Sequence, residues 1–322
     1  MLSVTRGYQG TAVLAAAADL DLFTALSSGP RTPQAIADSL GCDLRGLQIL
    51  LDALTALRLL EKSGSTYQLA PGLEELLLED GSQTVLAMVQ HQANCMRRWA
   101  QLARVVKTGR PAECVPSVRG QAGDQASFIG AMDNISAPQA DQVIQALQPL
   151  AFSRLLDVGG ASGTWTGAFL RACPSGRAVL FDLPAVIPMA DKRLRGLGLR
   201  DRVELAAGGF MTDPLPPGAD LAWVSAIVHQ NSRAQNRHLF ASVFRALVPG
   251  GRIAIRDILM DATRTQPVAG ALFAVNMLVA TEGGGTFTFD ELAEDLAIAG
   301  FVEPMILRRD EWMNSIVAAK RP

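Results

Sequence analysis

Little in this sequence points toward membranes, metals or nucleic acid. No apolar run reaches the roughly 18–20 residues that cross a bilayer, and the first 21 residues lack a basic stretch followed by a clean apolar core. A soluble, cytoplasmic protein with no membrane partner is therefore expected. Cysteine is scarce: Cys42, Cys95, Cys114 and Cys173 lie far apart and never form a C-x-x-C pair. Neither a zinc site nor a disulfide framework is indicated, and buried free thiols are expected. Charge is also in short supply. Charged residues make up 19% of the chain against 49% hydrophobic, with a formal net charge of −2, so nothing electrostatic favours nucleic acid or an anionic surface.

What remains is an ordinary globular composition, and 322 residues suggest two domains at about 150 residues each. From Gly7 to Leu26 the apolar positions Val13, Leu14, Ala17, Leu20 and Phe23 recur at helical spacing, predicting one amphipathic helix. Thr32-Pro33 reads as an N-cap with proline at the first helical position, opening a helix to Leu40 that Gly41 ends. Another follows from Asp43 to Leu57. Leu59–Glu61 and Thr66–Leu69 flank Lys62-Ser63-Gly64-Ser65 as a two-strand wing. Helix, turn, helix and wing make a winged-helix module over residues 1–100. Such modules often read DNA, which needs clustered basic side chains. Residues 1–80 instead carry five basic side chains (Arg6, Arg31, Arg45, Arg58, Lys62) against ten acidic ones. The alternative is that the apolar surface, including Ala15 to Ala18, packs on a second subunit.

Residues 101–149 read as a helical linker, with interruptions at Thr108-Gly109-Arg110-Pro111 and around Gly120 to Gly123. Beyond it, over 150–322, short apolar strands alternate with helices: Arg154–Val158, Ala178–Phe181, Val203–Ala206, Leu221–Ser225, Arg252–Arg256 and Glu303–Leu307. That alternation predicts an α/β domain with a parallel sheet covered on both faces. The first of these strands runs into Asp157-Val158-Gly159-Gly160-Ala161-Ser162-Gly163, where glycine lets the backbone turn sharply and approach a ligand. Asp182 closes the next strand, in Phe181-Asp182-Leu183-Pro184, where an acidic residue can hold ribose hydroxyls. His229 follows the strand Leu221–Val228, and Asp257 closes the one after it, so an imidazole and a carboxylate sit at neighbouring strand ends.

The turn has the form Asp-x-Gly-x-Ala-x-Gly, which resembles the first motif of class I methyltransferases. Together with Phe181-Asp182-Leu183-Pro184 and Leu247-Val248-Pro249-Gly250-Gly251, it resembles the plant-type and acetylserotonin-type O-methyltransferases over nearly the whole chain. The resemblance implies a Rossmann-like class I domain behind an N-terminal, mostly α winged-helix dimerisation domain, and therefore a homodimer. It also implies S-adenosyl-L-methionine as cofactor, S-adenosyl-L-homocysteine as product, and a small-molecule acceptor pocket to which the linker contributes. Asp157, Gly159, Gly160, Gly163, Asp182, Leu183, Gly209, Phe210 and Ser225 become cofactor candidates. His229 becomes the general base oriented by Asp257. Phe128, Met132, Asn276 and Met277 become acceptor contacts.

The chain departs from the family at four places. Gln230-Asn231 stands where the family has Asp-Trp, and Gly208-Gly209 where it has Gly-Asp, whose aspartate receives the adenine amino group; Phe210 packing and backbone groups are expected to serve adenine here. The position of the family's second glutamate falls near Gly284-Gly285, with Glu282 as substitute, and the first motif has Ala161 and Ser162 for glycine and threonine. The expected reaction is O-methylation of an aromatic or polyketide-like small molecule. Nitrogen or carbon methylation, a non-methylating use of the cofactor, a nicotinamide-dependent oxidoreductase and a cofactor-sensing regulator stand as alternatives.

Overall fold

A computed structural model describes residues 5–148 and 150–322. The chain forms two compact units. One runs up to Ala100 and includes Glu113–Ile135; the other comprises Gln101–Ala112 and Ser136–Pro322. The stretch 101–149 thus forms no unit of its own. Its middle joins the N-terminal unit and its two ends the C-terminal one.

In the N-terminal unit the helices are α1 (Tyr8–Asp19), α2 (Leu22–Ala25), α3 (Pro33–Leu40) and α4 (Leu44–Ala56), followed by β1 (Leu60–Ser63) and β2 (Thr66–Leu69), α5 (Glu74–Leu77) and α6 (Leu86–Trp99). The single helix expected over Gly7–Leu26 is two, because Asp21 takes a left-handed φ of 54° and breaks the axis. Chain chemistry sets the other ends. The Thr32 hydroxyl accepts the Ala35 N–H at α3, Gly41 closes that helix at φ 66°, and the Asp43 carboxylate accepts the Gly46 N–H at α4. The wing is antiparallel, with Leu60 opposite Leu69, and Arg31 pairs across to Tyr67. Its core gathers Ala17, Leu22, Phe23, Ile36, Leu51, Leu54 and Tyr67.

After α7 (Leu102–Thr108) comes α8 (Gly120–Ser136), with Gly123 inside the helix rather than in a break. The C-terminal unit then continues with α9 (Ala140–Gln145), β3 (Arg154–Val158), α10 (Thr164–Ala172), β4 (Arg177–Asp182), α11 (Ile187–Gly196), β5 (Val203–Ala207) and β6 (Ala219–Ser225). It ends with α12 (Arg233–Ala246), β7 (Leu247–Asp257), β8 (Leu259–Met260), α13 (Val268–Ala280), β9 (Phe287–Thr288), α14 (Phe289–Ile298), β10 (Val302–Arg308) and β11 (Ser315–Lys320).

The main sheet has seven strands in the order β10-β11-β7-β6-β3-β4-β5. It is not wholly parallel: β11 runs antiparallel to both β7 and β10. Buried side chains fill both faces. Leu239, Phe240 and Val243 of α12 with Leu292 and Leu296 of α14 cover one, while α9, α10 and α11 cover the other through Val143, Trp165, Phe169 and Leu194. Chain order runs outward from β3 to β5 on one side and from β6 to β7 on the other. The crevice outside the carboxyl ends of β3 and β6 is therefore the switch point where ligands of such sheets bind.

Candidate active site

The turn leaving β3 is built for close approach. Gly159, Ala161 and Gly163 all take left-handed φ values, 67°, 47° and 78°. The Gly159 N–H donates to the Phe181 carbonyl at 2.8 Å and the Gly163 N–H to that of Gly160 at 2.8 Å. A side chain on Gly159 would come within 2.5 Å of the Ile227 Cδ1, and one on Gly160 within 2.6 Å of the Leu180 Cγ. Asp157, just beneath, is buried and accepts the Thr166 hydroxyl at 2.5 Å. Burial, reinforced by the nearby Asp182 carboxylate, pushes its carboxyl up to about 7.

Asp182, at the end of β4, accepts the Ala161 N–H at 2.8 Å and the Leu183 N–H at 2.7 Å. Burial raises its affinity for protons, while those two N–H groups oppose the shift. Each oxygen keeps a second lone pair for a donor such as a ribose hydroxyl. Leu183 beside it is 55% exposed, an apolar surface at the crevice. At the exit of β5 the Gly209 N–H donates to Asp213 Oδ2 at 2.8 Å, so a carboxylate reaches this corner from four residues downstream, which the sequence reading missed. Phe210 packs half-buried against the sheet core. Ser225, ending β6, accepts a hydrogen bond from Arg256 Nη1 at 3.0 Å.

His229 does not extend β6 as expected. The strand stops at Ser225, Ala226 turns left-handed at φ 56°, and His229 sits in a single 3₁₀ turn, Val228–Gln230. Gln230 Nε2 donates to the Ala226 carbonyl at 3.1 Å. Asn231 is buried and donates to Asn236, which donates to the Val228 carbonyl, so these residues fix the turn where the family has an aspartate and a tryptophan. The imidazole Nδ1 lies 2.9 Å from both oxygens of Asp257, with both side chains buried. Because an ionised carboxylate only accepts, Nδ1 carries the proton and Nε2 keeps the free lone pair. The Ile258 N–H at 2.8 Å anchors the carboxylate in turn.

Phe273 of α13 packs edge-to-face on the imidazole, ring centroids 4.8 Å apart. Nothing in the sequence reading singled it out, although it lies one helical turn before Asn276. Asn276 is half-buried and Met277 buried on the same helix. Glu282 is exposed and is not brought to the pair. Gly285 instead donates its N–H to the His229 carbonyl at 2.9 Å, and a side chain on Gly284 would meet that carbonyl at 2.5 Å. Gly284 itself thus has no room for a side chain, whereas a side chain on Gly285 would meet nothing within 4 Å. Phe128 and Met132 belong to the N-terminal unit, on α8, where the exposed Phe128 ring packs on His91 at 5.3 Å. Of the four cysteines Cys95 and Cys173 are buried, Cys42 is intermediate and Cys114 is exposed, which corrects the expectation of four buried thiols.

A glycine turn, an acidic residue at the next strand end and an imidazole–carboxylate pair across the switch point define a Rossmann-like methyltransferase site. Residues 99–302 match the O-methyltransferase domain, and residues 2–77 match the O-methyltransferase dimerisation domain. The tetracenomycin polyketide synthesis 8-O-methyl transferase TcmO of Streptomyces glaucescens is 33% identical over 94% of this chain and 91% of its own length. The 3-hydroxy-5-methyl-1-naphthoate 3-O-methyltransferase of Streptomyces sahachiroi is 31% identical over 99% and 94%. Among solved structures, the mitomycin 7-O-methyltransferase MmcR superposes with a TM-score of 0.84 at 26% identity, covering 99% of this chain and 96% of that one. The chain belongs to the O-methyltransferase family and is an S-adenosylmethionine-dependent enzyme. The residues present fit that cofactor: side chains on Gly159 and Gly160 would collide with Ile227 and Leu180, so the backbone stays bare there, and Asp182 offers acceptors beside it. No helix among the described residues is long and apolar enough to cross a membrane.

Proposed function

We propose that this enzyme methylates a hydroxyl group on an aromatic or polyketide-type small molecule, with His229 as general base and Asp257 as its orienting partner. The observation that carries the mechanism is the Nδ1 contact to both Asp257 oxygens at 2.9 Å, which commits Nε2 to accepting a proton. The acceptor class rests on the substrates for which the two relatives are named, a polyketide in one and a hydroxynaphthoate in the other. When bound, the cofactor supplies an electrophilic methyl group on a sulfonium sulfur. The protein's part is to take the hydroxyl proton onto Nε2 as the oxygen–methyl bond forms, and Asp257 then stabilises the imidazolium. Such assistance is typically worth about 10²–10⁴ in rate, with alignment of the reacting atoms contributing further. Asp157, Gly159, Gly160, Gly163, Asp182, Leu183, Gly209, Phe210 and Ser225 form the cofactor side. Asn276, Met277, Phe128 and Met132 are assigned to the acceptor.

The matched dimerisation domain supports a homodimer joined through the N-terminal unit, and the acidic balance of residues 1–80 argues against a nucleic-acid partner. The test is incubation with S-adenosylmethionine carrying an isotopic methyl group and a panel of hydroxynaphthoates, phenolic polyketides and matched aryl amines. Label on a hydroxyl oxygen supports the proposal, whereas label on amines alone overturns it. Light scattering at micromolar concentration should give twice the 34.2 kDa chain mass, and a monomer would refute the assembly.

A further inference from the structure

Arg256 is buried to 1% exposure on the sheet face where its neighbour two residues back, Ala254, packs against Trp223 and Ile316. An aliphatic side chain would fit that environment without the cost of burying a charge. Among the described residues no carboxylate forms an ion pair with it. Its Nε donates to Asn314 Oδ1 at 2.9 Å, its Nη1 to Ser225 Oγ at 3.0 Å, and its plane lies 4.4 Å from the Trp165 ring. Nη2 is buried without a partner. The guanidinium is therefore in direct contact with neutral groups only.

Its location ties it to the reaction. The Arg256 carbonyl accepts the Ala226 N–H at 2.8 Å while its guanidinium holds Ser225, so one residue of β7 grips two successive residues at the exit of β6. Ala226 is in the left-handed region, which a residue with a Cβ holds only when its surroundings impose it. His229 follows three residues later. On the opposite face of β7, the next residue, Asp257, holds the imidazole.

We propose that Arg256 is a positioning residue for the methyl transfer: it locks the β6 exit that carries His229 and supplies a fixed positive charge behind the Asp257–His229 pair. This rests on the reading of His229 as base. Burial pulls the guanidinium down to about 10, with Asp257 and then Asp310 acting to retain its proton and Arg308 opposing them, so it stays charged at neutral pH. Its other neighbours, Ser225, Trp165 and Asn314, are neutral. The imidazole contacts Asp257 and Phe273, and among the described residues its one ion-pair partner is Asp257. A cation held there opposes a second positive charge on the imidazole.

The experiment is a histidine-labelled NMR titration of the S-adenosylhomocysteine-bound protein. Its three histidines are His91, His229 and His238, with His229 assigned through H229Q. R256M and R256Q should raise the His229 titration midpoint by about half a pH unit or more, roughly threefold in proton affinity. R256K, which keeps the charge, should restore it, and His91 and His238 should not move in any variant. An unmoved His229 midpoint in R256Q with ligand affinity retained would overturn the proposal, as would R256K behaving like R256Q. If R256M does not fold, R256Q and R256K, which can still bond Ser225 and Asn314, decide the matter. The readout needs no turnover; failure of His229 as base would show separately, as undiminished turnover in H229A.

Discussion

Three glycine-to-alanine substitutions separate the two reasons for glycine in the turn after β3. Gly159 and Gly198 share the same φ of 67°, but a methyl group on Gly198 meets nothing within 4 Å, whereas on Gly159 it meets the buried Ile227 at 2.5 Å. Gly160 has the steric problem without the left-handed backbone, its methyl falling 2.6 Å from Leu180 Cγ and 3.1 Å from Asp157 Cγ. Left-handed strain costs roughly 1–2 kcal/mol, and forcing a methyl into a packed site roughly 1–3 kcal/mol. Gly198→Ala should therefore lose about 1–2 kcal/mol, Gly160→Ala about 1–3, and Gly159→Ala about the sum, 2–5. Denaturant unfolding of the ligand-free proteins reads these directly, and calorimetric titration with S-adenosylhomocysteine reads the site. Gly198→Ala should bind as wild type, while the other two should lose at least tenfold. Equal destabilisation of Gly159→Ala and Gly198→Ala, or full binding by Gly159→Ala, would refute the steric reasoning.

Asp157 makes stability depend on pH. Its folded carboxyl binds a proton up to about 7, well above the ordinary value of 3.8, so the stabilisation is complete below about 4 and is lost as pH rises through about 7. Asp157→Asn keeps an acceptor for Thr166 and removes the titration; relative to wild type it should gain on the order of 3 kcal/mol between pH 4 and pH 7.5, and a constant difference across that range in denaturant unfolding would contradict the assignment. Asp257→Asn should free the imidazole to take the wrong tautomer and reduce kcat by about 10²-fold or more. Its S-adenosylhomocysteine affinity should stay within about threefold, and a comparable fall in affinity would point to collapse of the pocket instead.

The parts of the site with short-range causes were legible in the sequence. The turn at Gly159 to Gly163 and the caps at Thr32 and Gly41 are local chemistry, and the structure builds them where the residues indicated. Asp257 could be paired with His229 because neighbouring parallel strands end side by side. Features set by tertiary packing were not legible. The strand Ser315–Lys320 is a short apolar run near the chain's end, and its antiparallel course depends on pairing with β7 rather than on its own pattern. Asp21 and Ala226 adopt left-handed backbone without the glycine that would have announced it. Arg256, Asp213 and Phe273 acquire partners only through strand ends and helices distant in sequence, so no spacing rule could single them out. Glu282 illustrates the converse, a residue type suited to the task placed by the loop on the exposed side.

Whether Nε2 of His229 removes the acceptor's proton is decided by His229→Ala, measured in two ways on one preparation. Methyl transfer should fall at least about 10²-fold with S-adenosylhomocysteine affinity nearly unchanged, because the imidazole touches Asp257 and Phe273 rather than the glycine turn. Turnover within a few-fold of wild type would remove His229 from the mechanism.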